Sequence, residues 1–138
     1  MKKVIVFTDG GARGNPGPAG IGVQVLDEKK EVLGEISEFI GEATNNVAEY
    51  TAVKRALEYL KTLFDDTKAV QVAFNLDSQL VERQLSGVYK IKDATLKKYA
   101  NDIKALLDEF ASVTFTHVMR ENNKEADRLA NEAMDNAS

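Results

Sequence analysis

Two short runs rich in β-branched and aromatic residues do most to limit how this chain can fold. Val4-Ile5-Val6-Phe7 leads through Thr8 to Asp9, and residues 70–76 (VQVAFNL) lead to Asp77. Both have the length and composition of buried strands, and both stop on an acid. A charge at the end of a buried strand is expensive unless something compensates it. The compensation available to neighbouring carboxylates is a shared proton or a bound cation.

The rest of the pattern supplies the frame. Residues 10–18, which hold both prolines and four of the nine glycines, predict a turn after the first strand. Strands follow at about 20–26 and 31–40, joined as a hairpin through Asp27-Glu28-Lys29-Lys30. The period then changes: Val47, Tyr50, Val53, Leu57, Leu60 and Phe64 line one face of a helix over 46–64. After the strand at 70–76 come a short helix at 78–85 broken by Gly87, a longer one at 93–110, a strand at 113–118 and a helix at 123–134. The order β-β-β-α-β-α-α-β-α predicts an α/β fold with a five-stranded mixed sheet, three antiparallel strands extended by two parallel ones and flanked by helices. Its 138 residues predict one domain over 1–138.

Several function classes are disfavoured. There is no apolar run of the ~18 residues that would span a bilayer. Met1-Lys2-Lys3 enters a strand directly, which predicts no signal peptide and a free-standing cytoplasmic protein. With no cysteine, disulfides and thiolate metal sites are excluded. The net charge of −4 runs against nucleic-acid binding, but residues 82–104 carry six basic side chains (Arg83, Lys90, Lys92, Lys97, Lys98 and Lys104) against three acidic ones. That excess suits a phosphate backbone or equally a solvated helix face.

If the strands ending at Asp9 and Asp77 are parallel neighbours, their carboxylates meet at the carboxyl edge of the sheet, where open α/β folds place their sites. Glu49 near one helix start and Asp127 near another can join them. Hard oxygen ligands suit Mg²⁺, and three or four carboxylates can hold two ions about 4 Å apart for in-line attack on a phosphodiester. Ordinary helix chemistry competes for two of the acids. Asn46-Val47-Ala48-Glu49 has capping-box spacing, as does Asn122-Asn123-Lys124-Glu125, where a capping role is expected for Glu125. Asp127 could simply favour a helix N-terminus.

Four segments together resemble the type 1 ribonucleases H, nearly end to end. Residues 7–17 (FTDGGARGNPG) are similar to the family's first-strand signature with its first catalytic aspartate. Thr44-Asn45-Asn46-Val47-Ala48-Glu49 resembles its TNN-x-x-E helix start, and Asp77-Ser78-Gln79-Leu80-Val81 its D-S-Q-x-V element. Residues 123–130 (NKEADRLA) resemble its N-x-x-A-D-x-L-A helix. The resemblance implies a ribonuclease H-like fold and a metal-dependent endoribonuclease acting on the RNA strand of RNA–DNA hybrids. It implies two Mg²⁺ ions (Mn²⁺ substituting) held by the catalytic Asp9, Glu49, Asp77 and Asp127, and products with 5′-phosphate and 3′-hydroxyl ends. Asn15, Asn45 and Gln79 would contact the minor groove of the hybrid, and Thr44 a phosphate of the DNA strand. Groups that read 2′-hydroxyls select a hybrid without reading sequence.

The departures are informative. Many bacterial members carry a histidine in a loop before the last helix. Here the one histidine, His117, sits inside the apolar strand 113–118 and reads as structural, which leaves Arg120 or Glu121 as auxiliary groups in its place. Residues 85–93 are too short for the basic protrusion of those members, as in archaeal-type and retroviral relatives. The resemblance to archaeal-type members admits double-stranded RNA as an alternative second substrate. The expected partner is the hybrid, with no membrane and no second subunit. A non-catalytic hybrid-binding module has no use for four converging acids, and a polyprotein fragment fits poorly with the start at Met1.

Overall fold

The computed structural model describes residues 1–137. Its strands are β1 (Lys2–Ala12), β2 (Gly17–Leu26), β3 (Val32–Ala43), β4 (Val70–Leu76) and β5 (Ser112–His117), and its helices α1 (Asn45–Leu63), α2 (Gln79–Leu85), α3 (Ala94–Leu107) and α4 (Lys124–Asn136). The strands form one sheet in the order β3-β2-β1-β4-β5. β1, β2 and β3 pair antiparallel, and β4 and β5 extend the sheet in parallel beyond β1. The mixed sheet and the element order are those the sequence predicts.

On one face, Val4 and Val6 of β1, Val23 and Val25 of β2 and Phe74 and Leu76 of β4 pack against Tyr50, Val53, Leu57 and Leu60 of α1 and Ile103 of α3. Fully burying each of the larger aliphatic or aromatic side chains contributes about 1.5–3 kcal/mol, which fixes α1 on the sheet. On the other face α4 packs across β1, β2 and β3. No helix among the described residues is long and apolar enough to cross a membrane.

The expected turn over 10–18 holds only for residues 13–16. Gly10, Gly11 and Ala12 continue β1, pairing with Ile21, Gly20 and Ala19 of β2, which itself begins at Gly17. Asp9 therefore does not end a strand. It stands where the parallel partner stops, since the pairing with β4 finishes at Thr8 and Leu76, while the antiparallel partner β2 runs on with Gly22 opposite Asp9. Gly10 and Gly22 answer to helix approach rather than to a turn. A Cβ on Gly10 would lie 2.3 Å from the backbone carbonyl of Ala48 in α1, and one on Gly22 would lie 2.0 Å from the carbonyl oxygen of Ala126 in α4. Two helices thus reach the sheet beside Asp9, one on each face, because there is no side chain to hold them off.

Candidate active site

Asp9 and Glu49 are both buried, each 8% exposed, and Asp77 is half-buried. One carboxylate oxygen from each lies within 4.8 Å of the others. β1 delivers Asp9, the end of β4 delivers Asp77, and α1 delivers Glu49 through the close approach at Gly10. Asp127, half-buried in the first turn of α4, lies within hydrogen-bonding range of Asp9. All four line one open cleft of about 480 Å³.

The electrostatics follow from burying like charges together. Burial, then repulsion from Asp77 and the contact with Asp127, push the Asp9 carboxyl up to about 8, against the opposing hydrogen bond from the Gly10 N–H to Oδ1 at 2.9 Å. Glu49 is raised as well, by burial first and then by Asp9 and Asp77, with the Arg120 guanidinium pulling the other way. Glu49 Oε2 is buried and has no hydrogen-bond partner among the described residues. An orphaned buried oxygen beside two further carboxylates is a set of hard donors that a divalent cation such as Mg²⁺ would satisfy. The residues present fit that group.

The capping box that competed for Glu49 is not formed, nor is the one expected for Glu125. Thr44 is the N-cap of α1, its Oγ1 accepting from the Val47 N–H at 3.2 Å, so Glu49 lies deeper in the helix than a capping glutamate would. Asn123 precedes α4 without a side-chain cap, and Glu125 spends its carboxylate on Arg128 at 3.0 Å. Helix-end chemistry therefore does not account for Glu49.

The expected substrate groups separate into two places. Asn15 Oδ1 accepts from the Asn45 N–H at 2.9 Å, and Asn45 Oδ1 accepts from the Ala12 N–H at 2.8 Å, so the turn after β1 and the start of α1 are tied together beside Thr44. Among the described residues the two Nδ2 groups have no protein partner and remain as donors. Gln79, exposed, opens α2 directly after Asp77 and Ser78. Arg120 lines the cleft from a short 3-10 turn (Arg120–Asn122), whereas Glu121 is exposed and outside it. His117 ends β5 in register with Leu76, and it too is not part of the cleft lining.

Two residues escaped the sequence reading. Asn123 is buried at 1% exposure, and its Nδ2 donates to the Thr8 carbonyl at 2.9 Å and to Asp77 Oδ2 at 3.1 Å. Asn131 Nδ2 donates to the Asp127 backbone carbonyl at 2.9 Å and to its Oδ1 at 3.3 Å. For Asn131 the available signal was spacing, since it stands one helical turn after Asp127 on the same face of α4.

Comparison with known proteins places this geometry among relatives. A family model described as "Reverse transcriptase-like" matches residues 7–133. A protein of Mycobacterium tuberculosis, named a bifunctional protein, is 43% identical over 99% of this chain, which spans only 36% of that protein's length. The ribonuclease H of Nitrosomonas eutropha is 35% identical over 98% of this chain and 91% of its own. Among solved structures, LC11-RNase H1, isolated from compost by a metagenomic approach, superposes with a TM-score of 0.94 at 51% identity, covering 99% of both chains. The same protein in complex with an RNA/DNA hybrid gives 0.93 at 50% identity, over 97% of this chain and 98% of the other.

Proposed function

This chain belongs to the ribonuclease H family, and from that premise we propose that it is a metal-dependent endoribonuclease that hydrolyses the RNA strand of RNA–DNA hybrids. The observation that carries the reading is the convergence of Asp9, Glu49 and Asp77 within 4.8 Å, with Asp127 beside Asp9 in the same cleft. Carboxylates from four elements converge at the carboxyl end of β1 and β4 at a cost in burial and repulsion that a bound cation offsets without the carboxylates having to keep a proton.

Asp9, Glu49, Asp77 and Asp127 would hold the ions. Two Mg²⁺, with Mn²⁺ able to substitute, would activate water and steady the leaving oxygen, giving 5′-phosphate and 3′-hydroxyl ends. The protein's own part is positioning. The Gly10 N–H fixes Asp9 Oδ1, and the Asn131 amide fixes Asp127. Asn15 and Asn45, whose Oδ1 atoms are already engaged, offer their Nδ2 groups to the minor groove of the hybrid; Gln79 contacts it from the start of α2, and Thr44 lies where a DNA phosphate would pass. Arg120 faces Glu49 and supplies positive charge where the bacterial relatives place a histidine. The lysines of residues 90–104 extend the contact along the phosphate backbone, which makes binding salt-dependent. All four acids come from one chain, so the reading takes the protein as a monomer whose site needs no second subunit.

The test is a cleavage assay on RNA–DNA hybrid, double-stranded RNA and single-stranded RNA, each with Mg²⁺, Mn²⁺ or EDTA. The reading requires hybrid cleavage with either cation and none with EDTA. Cleavage in EDTA, or a preference for single-stranded RNA, contradicts it. Cleavage of double-stranded RNA beside the hybrid would widen the substrate range without changing the chemistry.

A further inference from the structure

Asn123 breaks a local rule at the edge of the cleft. An asparagine at a helix N-cap ordinarily turns its side-chain oxygen onto the first free backbone N–H groups of the helix. Asn123 does not: it makes no side-chain cap to α4, and its carboxamide points into the protein at 1% exposure. Where the parallel pairing of β1 with β4 stops, its Nδ2 reaches the Thr8 carbonyl at 2.9 Å and Asp77 Oδ2 at 3.1 Å. Its Oδ1 is left buried and without a partner among the described residues. A side chain that forgoes a cap and leaves its own acceptor unsatisfied is held there by what its donor does. Local rules fail in this way at functional sites.

We propose that Asn123 is a positioning residue that locks the Asp77 carboxylate in the orientation needed to hold a divalent cation, an inference that rests on the ribonuclease H reading above. Asp77 lies just beyond the last residue of β4 and is half-buried, so the strand alone does not fix its carboxylate plane. The hydrogen bond that Asn123 Nδ2 donates to Oδ2 does, and the second one it donates, to the Thr8 carbonyl, ties that orientation to β1, which carries Asp9. The geometry of two carboxylates is thereby coupled through one neutral donor. Neutrality matters, because an aspartate at 123 would add another negative charge and a lysine would compete with the cation. Outer groups that orient metal ligands typically set metal affinity or activity by about ten- to a hundredfold.

Asn123→Ser separates this role from capping, because serine caps as well as asparagine and is too short to span both partners. Mn²⁺ binding is measured by calorimetry without substrate, beside kcat and KM on the hybrid and a thermal melt. The expected result is a cooperative melt, Mn²⁺ binding weakened by about ten- to a hundredfold and KM for the hybrid within about threefold of wild type. Wild-type Mn²⁺ affinity in a folded Asn123→Ser variant overturns the inference. Should that variant fail to fold, the wild type decides: the Asn123 side-chain amide resonance should shift on Mg²⁺ titration with the same midpoint as the Asp77 backbone amide, and an unmoved resonance at saturation overturns the inference. If the wild-type protein neither binds Mn²⁺ nor cleaves hybrid, the ribonuclease reading fails; if it does both and Asn123→Ser matches it, only the role of Asn123 fails.

Discussion

Gly10→Ala tests how the site is assembled, because its effect can be worked out from the backbone. The added Cβ would lie 2.3 Å from both the carbonyl carbon and oxygen of Ala48, and 2.6 Å from the Glu49 nitrogen. Carbon atoms in contact prefer about 3.5–4.0 Å, so α1 must retreat by roughly 1.2 Å at this point. The atoms met are main chain, and no rotamer can yield. Overpacking of this kind costs about 1–3 kcal/mol, only partly offset by the gain of about 0.5–1 kcal/mol from replacing glycine in a strand. Glu49 is the next residue of α1 and moves with Ala48, and a displacement of about 1 Å from the reacting geometry can cost about a hundredfold in rate. Gly11→Ala is the control on the same strand: its Cβ would meet Asn45 Oδ1 and the Met134 methyl at an ordinary 3.9 Å. Urea unfolding followed by circular dichroism, beside kcat on a hybrid at saturating Mg²⁺, should show Gly10→Ala destabilised and about a hundredfold slower, with Gly11→Ala close to wild type or slightly more stable. Two variants alike in midpoint and turnover would refute the claim that glycine clearance places Glu49.

Other perturbations read different parts of the account. Without metal, Asp9 is held at about 8 against an ordinary 3.8, so between those values the folded protein binds a proton the unfolded chain has lost. Stability of the metal-free protein should therefore fall as pH rises from about 4 to about 8; at about 1.4 kcal/mol per pH unit the share of Asp9 is capped near about 6 kcal/mol, relaxation around an open cleft leaves a fraction of it, and the raised Glu49 adds in the same direction. Asp9→Asn should flatten that slope in pH-dependent denaturation, and a slope unchanged by the substitution would count against the burial of Asp9. Cation binding must expel the same proton, so Mn²⁺ affinity should rise across that range and Mn²⁺ binding should release acid. His117→Ala should lower the melting temperature with little change in kcat, since the imidazole does not line the cleft; a hundredfold loss of turnover in a folded variant would place it in the reaction. Arg120→Ala should shift the pH–rate profile through its effect on Glu49, and an unmoved profile would remove it from that role.

The parts of the site legible in the sequence were those where physics leaves few alternatives. Asp9 and Asp77 stood out because acids beside buried strands need a reason to be there. Glu49 and Asp127 needed the family resemblance, because an acid near a helix start has ordinary explanations. The structure removes one of them by placing the cap of α1 at Thr44. Gly10 was misread as part of the turn because glycine serves tight turns and close backbone approach alike, and only the position of α1 tells the two apart. Asn123 was hidden for a similar reason: at a helix start an asparagine reads as a cap, and its inward turn to Thr8 and Asp77 is a tertiary event with no local signature.

The central claim is that these carboxylates carry out hybrid hydrolysis rather than merely tolerate one another. In the cation-loaded protein, where Asp9 has given up its proton, Asp9→Asn keeps the shape of the site and removes one charge from it, so cleavage and hybrid binding measured with Mg²⁺ on that variant test the claim most directly. Turnover should fall below detection while hybrid affinity is unchanged or tighter, because one less negative charge faces the phosphates. Near-wild-type cleavage by Asp9→Asn would contradict the account.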